Sequence, residues 1–325
     1  MLVEELGEFG LIDRIKAYLK IEDIEIPGPG DDTAILPFSE EKVLLFTADM
    51  LLEDVHFNPT FSTPYQVGWK SIAANLSDIA SMGGLPRYAL ISLGLASNTP
   101  VEFVDELYRG MEEIASHFGL QLVGGDTNRS EKMVISVALL GECEKEYVCK
   151  RSGAKVGDKI VISGFTGESE AGLICLKRRL SRDLPSMEAM VKKHLEPYPR
   201  LNEARRLAEK KVVCAMIDLS DGLSNDLHQL TKSSGVSARI FLDRIPISEG
   251  VADLSQRLKL DPFDLILYGG EDYELLFTTS NEENLPQLEI PLSIIGEIIL
   301  SEDGVLQIDK EGRKKRLPFK GYRHF

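Results

Sequence analysis

Three short apolar runs rich in strand-forming residues each lead into an aspartate. The runs cover residues 43–48, 121–123 and 212–217, and they lead into Asp49, Asp126 and Asp218. We expect each aspartate to lie at or just beyond a strand end, where a carboxylate must meet water, a helix cap or a cation. Helical patterns separate these runs, so the sequence predicts a mixed α+β or α/β fold.

A change of composition divides the chain into two parts. The stretch 142–156 is polar and basic, and residues 159–164 then begin a new strand pattern. We therefore predict an N-terminal domain over residues 1–145 and a C-terminal domain over residues 146–325. Gly124-Gly125-Asp126 and Gly269-Gly270-Glu271 echo each other across this boundary. Duplication and chance would both explain so short a match.

The charge balance disfavours two classes of partner. The chain has 37 Lys and Arg against 52 Asp and Glu, a formal net charge of -15, which repels nucleic acid and anionic membrane surfaces. No apolar run approaches the roughly 20 residues of a membrane span, and the first residues show no basic region followed by an apolar stretch. We expect a cytoplasmic protein that binds neither nucleic acid nor membrane. Its four cysteines form no C-x-x-C pair and are expected to be reduced.

Aspartates, most of them flanked by glycine or other small residues, recur in separate segments. They are Asp31, Asp32, Asp49, Asp78, Asp126, Asp218 and Asp221. Two carboxylates 4 Å apart repel by about 4 kcal/mol at an effective dielectric constant of about 20, so a converging set requires cations or bound protons. Hard oxygen ligands select Mg²⁺ or Ca²⁺, and Mg²⁺ commonly bridges carboxylates to substrate phosphates. The set therefore predicts magnesium-dependent phosphoryl transfer.

Each aspartate also has a simpler interpretation when it is taken singly. Asp221 is a candidate helix N-cap, and Asp126 and Asp32 are candidate turn residues. Asp78 fits a solvated helix position. The sequence contains no G-x-x-x-x-G-K-[ST] loop, no protein-kinase catalytic set and no H-E-x-x-H motif. A metal-dependent phosphohydrolase and a non-enzymatic divalent-ion binder both remain open on these residues alone.

Seven motifs, spread in order over nearly the whole chain, resemble the thiamine-monophosphate kinase family. They are Pro29-Gly30-Asp31-Asp32-Thr33-Ala34, Asp49-Met50-Leu51-Leu52-Glu53-Asp54-Val55-His56-Phe57, Asn75-Leu76-Ser77-Asp78-Ile79-Ala80-Ser81-Met82-Gly83, Gly124-Gly125-Asp126-Thr127, Lys150-Arg151-Ser152-Gly153-Ala154, Asp218-Leu219-Ser220-Asp221-Gly222-Leu223 and Gly269-Gly270-Glu271-Asp272-Tyr273-Glu274-Leu275. The wider superfamily, which is similar to aminoimidazole ribonucleotide synthetase, shares the aspartate and Gly-Gly-Asp motifs. Its selenophosphate synthetase member is disfavoured, because the first cysteine here is Cys143.

The resemblance implies a fold, a reaction and a dimer. The fold is a two-domain synthetase-like fold in which the N-terminal domain forms the dimer sheet and ATP lies in the cleft between the domains. The reaction transfers the γ-phosphoryl group of ATP to thiamine monophosphate, giving thiamine diphosphate and ADP, as the last step of thiamine diphosphate biosynthesis. Several Mg²⁺ ions assist the transfer, and no general base is assigned.

The same resemblance implies three groups of site residues. The metal ligands would be Asp31, Asp32, Thr47, the backbone of Ala48, Asp49, Asp78, Asp126, Asp218 and Asp221, with Asp32 a better direct ligand than Asp31. The nucleotide would meet Tyr108, Gly125, Asp126, Arg151 and Ser220. The thiamine substrate would meet His56, Glu271 and Tyr322. Taken alone, a histidine such as His56 near a strand end is more often a surface or packing residue than a substrate contact. Trp69 is interpreted as a core residue, and Lys70 as a lysine reaching the surface.

Overall fold

The computed structural model describes residues 2–19, 29–180, 185–300 and 303–322. The predicted loop before Asp31 therefore lies partly outside the described residues. The N-terminal half contains, in chain order, α1 (Val3–Lys16), β1 (Ala34–Pro37), β2 (Lys42–Leu52), α2 (Pro64–Ser81), β3 (Leu85–Leu95), α3 (Val101–His117), β4 (Gln121–Arg129) and β5 (Val134–Glu144). Its five strands form one sheet in the order β1-β2-β5-β3-β4, in which only β3 and β4 pair in parallel.

Helix α2 forms where the helical spacing predicts it. Thr63 and Gln66 form a capping box at its start, and Pro64 occupies the first turn, where a missing N–H costs nothing. The helix ends before Gly83, whose φ of 71° favours glycine. Most of α2 is buried, because it lies between the inner face of the sheet and α3.

Two predicted strand ends are wrong. β2 continues past Asp49 to Leu52, and β4 continues past Asp126 to Arg129. Asp49 pairs with Val137 on β5, whose eleven residues extend the ladder beyond the apolar run. A single polar residue does not end a strand when the neighbouring strand still offers its hydrogen-bonding groups. The prediction for Asp218 is confirmed, since this aspartate is the last residue of its strand.

The C-terminal half is built around a seven-stranded sheet. Its elements are β6 (Lys159–Ser163), α4 (Glu168–Lys177), α5 (Pro185–Leu195), α6 (Leu201–Glu209), β7 (Ala215–Asp218), α7 (Leu223–Ser234), β8 (Ser237–Phe241), α8 (Glu249–Leu258), α9 (Pro262–Tyr268), β9 (Leu275–Thr279), β10 (Leu292–Ile299), β11 (Val305–Ile308) and β12 (Lys314–Arg316). The strand order is β12-β11-β8-β10-β6-β9-β7. β7 thus lies at one edge of this sheet, where it meets α2 of the other half.

One apolar core extends across both halves. Residues of α6 and of β9, including Leu201, Leu207 and Phe277, belong to the same buried cluster as Ile72 and Leu76 of α2. A second cluster fills the space between the seven-stranded sheet and its helices. The domain boundary at 145/146 stays a prediction. None of the helices in the described ranges is long and apolar enough to cross a membrane.

The outer face of the five-stranded sheet is open and apolar. Phe46, Met50, Tyr88, Leu90 and Val123 are between 44% and 54% exposed. Phe46 and Tyr88 both pair with Leu140 on the intervening strand β5, so they form a row across three strands. Contiguous exposed apolar surface of this kind marks an interaction site in soluble proteins.

Candidate active site between the two sheets

Three carboxylates converge where the two halves of the chain meet, beside the contact between α2 and β7. Each of Asp32, Asp78 and Asp218 offers an oxygen within 4.8 Å of the others. Asp32 precedes β1, Asp78 lies on α2, and Asp218 ends β7. Segments almost 190 positions apart in the chain thus supply one acidic cluster, as the sequence predicts for a divalent-cation site.

Hydroxyl groups orient these three carboxylates. Ser81 donates to Asp32 Oδ2 at 2.6 Å, and Ser77 donates to Asp218 Oδ2 at 2.6 Å. Both serines lie on α2, one turn apart and on either side of Asp78. Thr47 of β2 donates to Asp78 Oδ2. The donors fix the carboxylates without neutralising them, because a hydroxyl carries no charge.

Burial and mutual repulsion raise the pKa values of Asp78 and Asp218 in the cluster and of Asp49 beside it. Burial, with the nearby Asp32 carboxylate, raises the pKa of Asp49 to about 6. Burial and Asp32 likewise raise the pKa of Asp218 to about 8 against the hydrogen bond from Ser77. The pKa of Asp78 is raised well above its usual value by burial and by Asp49 and Asp218. A divalent cation would relieve this repulsion, and an all-oxygen donor set suits Mg²⁺.

Arg151 forms an ion pair with this cluster. Its Nε donates to Asp32 Oδ1 at 3.0 Å and its Nη2 donates to the same oxygen. Its backbone N–H donates to Asp31 Oδ1 at 2.7 Å. Burial raises the pKa of Asp31, while this hydrogen bond opposes the rise. A guanidinium group in this position gives a phosphate group a positive partner beside the carboxylates.

Asp221 is not the N-cap of α7. That position is occupied by Gly222, and the Asp226 carboxylate accepts the backbone N–H groups of Asp221 and Gly222 at 3.2 and 3.1 Å. The Asp221 side chain accepts a hydrogen bond from Asn225 Nδ2 at 3.0 Å. The helix cap offered by the sequence as a simpler role for Asp221 is therefore not seen.

The predicted thiamine-binding residues lie beside one another. The rings of His56 and Tyr322 are 6.4 Å apart, centroid to centroid. His56 Nδ1 accepts the Leu52 N–H at 2.9 Å, so the proton of a neutral ring is on Nε2. Tyr322 is tied to the acidic region by its backbone N–H, which donates to the Asp221 carbonyl at 3.1 Å.

Glu271 has a strained backbone conformation and lies next to Ser220. Its φ is 62°, a conformation uncommon for a residue with a side chain. Its backbone N–H donates to the Ser220 carbonyl at 2.7 Å. Strain of this kind persists when the surrounding contacts impose it, and it occurs often at functional sites.

The predicted nucleotide residues are more widely distributed. Ser220 and Arg151 adjoin the cluster, whereas Gly125 and Asp126 lie on the edge strand β4 and Tyr108 lies half-exposed on α3. Asp126 is exposed and accepts from Asn128 Nδ2 at 2.6 Å. Ala48 lies in β2 between Thr47 and Asp49. The roles of all these residues stay predictions.

The interpretation of Lys70 as a lysine reaching the surface is wrong. The residue is only 3% exposed, and its ammonium group contacts Glu271. Ser77 and Ser81, which hold the carboxylates, were also missed. The sequence did contain a signal for these two serines. Small polar residues on an otherwise apolar helix need hydrogen-bond partners once the helix is buried. Trp69 does pack on the core, and all four cysteines are free, as expected.

The chain is similar to known proteins along almost its whole length. Models of AIR synthase related proteins match twice, the N-terminal domain at residues 30–143 and the C-terminal domain at residues 155–309. The thiamine-monophosphate kinase of Aquifex aeolicus is 38% identical over 325 residues, with 100% of both chains covered. That of Bacillus subtilis is 33% identical, covering 98% of this chain and 100% of the relative. The solved structure of AaThiL complexed with AMPPCP and TMP has a TM-score of 0.90 at 38% identity and covers 100% of this chain and 99% of that chain.

Two α+β halves with a buried acidic cluster between them define a protein of the AIR synthase related class, which confirms the predicted fold. Within that class, the chain belongs to the thiamine-monophosphate kinase family.

Proposed function

We infer that the protein phosphorylates thiamine monophosphate with ATP, giving thiamine diphosphate and ADP. The observation that carries this function is the convergence of Asp32, Asp78 and Asp218 beside Arg151 in a chain similar along its full length to thiamine-monophosphate kinases. The similar structure AaThiL is complexed with AMPPCP, an ATP analogue, and TMP. Both substrates carry phosphate groups, so their reaction requires positive charge between two anions.

We propose Mg²⁺ as the ion that these carboxylates hold. Asp49, Asp78 and Asp218 fit it well, because buried carboxylates with raised pKa values gain most from a hard divalent cation. Asp32 fits it because its carboxylate lies within 4.8 Å of those of Asp78 and Asp218. When bound, Mg²⁺ ions screen the phosphates and stabilise the charge that develops on the transferred group. Asp31, Thr47, Ala48, Asp126 and Asp221 are the further ligands that we propose.

The residues of the chain position the reactants. An oxygen of the thiamine monophosphate phosphate attacks the γ-phosphorus of ATP, a P–O bond forms, and the bond to the β–γ bridging oxygen breaks to release ADP. The acceptor is already an anion, so no general base is needed. Arg151 and Ser220 contact the nucleotide in this proposal, and His56, Glu271 and Tyr322 hold the thiamine part, whose cationic ring suits a carboxylate and an aromatic face.

The reaction can be tested directly. The purified protein is incubated with ATP, Mg²⁺ and thiamine monophosphate, and we expect thiamine diphosphate and ADP in equal amounts. Phosphate release that does not depend on thiamine monophosphate would favour a phosphohydrolase instead. Cation binding without nucleotide affinity would favour a divalent-ion binder. A cytoplasmic location stays a prediction.

We propose that the protein is a homodimer that covers the open face of the five-stranded sheet. The face defined by Phe46, Met50, Tyr88, Leu90 and Val123 is apolar and spans four of its strands. A closed two-fold dimer is the commonest way for such a self-complementary surface to be buried.

Substitution of Leu90 by arginine is expected to separate this dimer. Leu90 lies near the middle of the exposed face, and a guanidinium group there would have to be buried without a partner. Light scattering after size exclusion should give about twice the 36.1 kDa chain mass for the wild type and the single-chain mass for Leu90→Arg. Val101→Arg, at an exposed position on α3, is the control and should stay dimeric. A monomeric wild type at micromolar concentration would contradict the proposal.

The position of Asp126 suggests that the dimer completes the site. Along the sheet, Asp126 is three strands from Asp49, roughly 14 Å at the usual strand spacing. It pairs with the exposed Ser92 and so faces outward, whereas Asp49 shares the inner face with Thr47. The two side chains of one chain are therefore badly placed to share an ion. We propose that Asp126 serves the site of a second copy.

Mixed dimers test this assignment. Asp49→Asn and Asp126→Asn are each expected to be inactive. Refolded together in equal amounts, they should recover about a quarter of wild-type activity, because half of the dimers are mixed and one of the two sites in each is intact. If Asp126 acted within its own chain, the mixture would stay inactive.

A further inference from the structure

Lys70 is a buried lysine with no part in the roles assigned so far. It lies on α2, and its side chain is only 4% exposed. A lysine is rarely buried to this extent unless its charge is paired. The partners of its ammonium group therefore indicate the role of Lys70.

Two partners of this ammonium group come from different halves of the chain. Lys70 Nζ lies 2.7 Å from Glu271 Oε1 and donates to the His56 carbonyl oxygen at 3.0 Å. His56 follows β2 in the N-terminal half, and Glu271 follows α9 in the C-terminal half. One ammonium group thus links the two segments that, in the proposed function, hold the thiamine substrate.

The Glu271 carboxylate has one neighbouring nitrogen beside each of its oxygens. Its Oε1 meets Lys70, and its Oε2 lies 3.6 Å from Nδ1 of His194, which is itself 3.0 Å from Ser169 Oγ. His194 is buried, and burial together with the Lys70 charge holds its pKa well below the usual value. The imidazole is therefore neutral, and Lys70 is the charged partner of Glu271 in this arrangement.

We propose that Lys70 is a positioning residue for the thiamine monophosphate subsite. It holds Glu271 and the His56 segment at one fixed separation, so that both contact the substrate together. Its ion pair also constrains the side chain of a residue with strained backbone. This inference rests on the proposed function, because that function makes His56 and Glu271 substrate contacts.

The inference predicts an effect on one substrate and not on the other. In Lys70→Met, which keeps an unbranched side chain one atom shorter and removes the charge, the KM for thiamine monophosphate should rise about tenfold or more and kcat should fall. The KM for ATP should change by less than about twofold. Calorimetric titration with thiamine monophosphate alone should show the same loss of affinity. Lys70→Arg keeps a hydrogen-bond donor and the positive charge, so it should retain part of the affinity for thiamine monophosphate that Lys70→Met loses.

A control variant and a double variant distinguish a positioning role of Lys70 from a general structural role. Lys159→Met removes a lysine paired with Glu297 in the C-terminal sheet and should leave both KM values unchanged. Lys70→Met should cost much less affinity in a Glu271→Gln background than in the wild type, because the two residues act together.

The possible outcomes are distinct. A lower melting temperature with equal changes in both KM values, or with none, would overturn the positioning role while the wild type still makes thiamine diphosphate. Fully additive effects of Lys70→Met and Glu271→Gln would overturn it too. A wild-type protein that makes no thiamine diphosphate would overturn the proposed function, and the inference with it.

Discussion

Replacing Asp78 with asparagine is expected to lower kcat by about a thousandfold or more. Asp78 offers an oxygen within 4.8 Å of those of Asp32 and Asp218. The amide keeps the shape of the side chain and can still accept the hydrogen bond from Thr47. It supplies no negative charge, so the ions that screen the two phosphate-bearing substrates would bind weakly or in the wrong place.

The same substitution should leave the protein folded and, without divalent cation, more stable. Burial and the neighbouring carboxylates raise the pKa of Asp78, and removing its charge removes part of that repulsion. Steady-state kinetics and thermal unfolding in a chelating buffer measure the two effects. The exposed Asp243→Asn serves as the control and should change neither. Near-normal turnover by Asp78→Asn would refute the metal assignment.

Without divalent cation, the protein should lose stability as the pH rises from about 5 to above 8. The pKa of Asp49 is raised to about 6 and that of Asp218 to about 8. In this range the folded state holds protons that the unfolded state, with ordinary aspartate pKa values near 3.9, has released. The free energy of unfolding therefore falls as the pH rises. Each tenfold change in proton affinity corresponds to about 1.4 kcal/mol, so the total fall should be a few kcal/mol.

Saturating Mg²⁺ should flatten this dependence, because the ion replaces the protons on the carboxylates. The increase in melting temperature on adding Mg²⁺ should accordingly be larger at pH 8 than at pH 6. His194, whose pKa is lowered by burial, has the opposite pH dependence below about pH 6.5. The difference between the wild type and Asp78→Asn cancels this contribution and should isolate the cluster. A metal-free melting temperature that rises between pH 7 and pH 8.5 would contradict the electrostatic account.

Local patterns predicted much of the secondary structure. The helix from Pro64 to Ser81 and the strand from Val305 to Ile308 match their predictions residue for residue. Helical spacing, a capping box and apolar strand runs depend on neighbours within a few positions, so the sequence contains them. The predicted ends of β2 and β4 were wrong because they do not depend on nearby residues alone. Strand length depends on a partner strand, and β5 lies more than 80 residues from β2 in the chain.

The candidate site was likewise predicted in part from the sequence and decided in part by contacts between distant residues. The motifs that contain these aspartates, and the order of the motifs along the chain, identified Asp32, Asp78 and Asp218 as members of one family pattern, and the structure brings these three together. The sequence did not show that Ser77 and Ser81 orient them, or that Lys70 links His56 to Glu271. Lys70 and His56 are only 14 positions apart, but the other contacts join residues from 49 to 201 positions apart.

By itself, the sequence determined the class of fold, the chemistry of the donor set and the family. These follow from residue type and local order, which tertiary packing does not change. Only the tertiary structure decided which aspartates share one buried volume, which way Asp126 faces and why a lysine can be buried on α2. The physical reason is that burial and the distance between charges set pKa values and ion pairing, and both are fixed only when distant segments pack together.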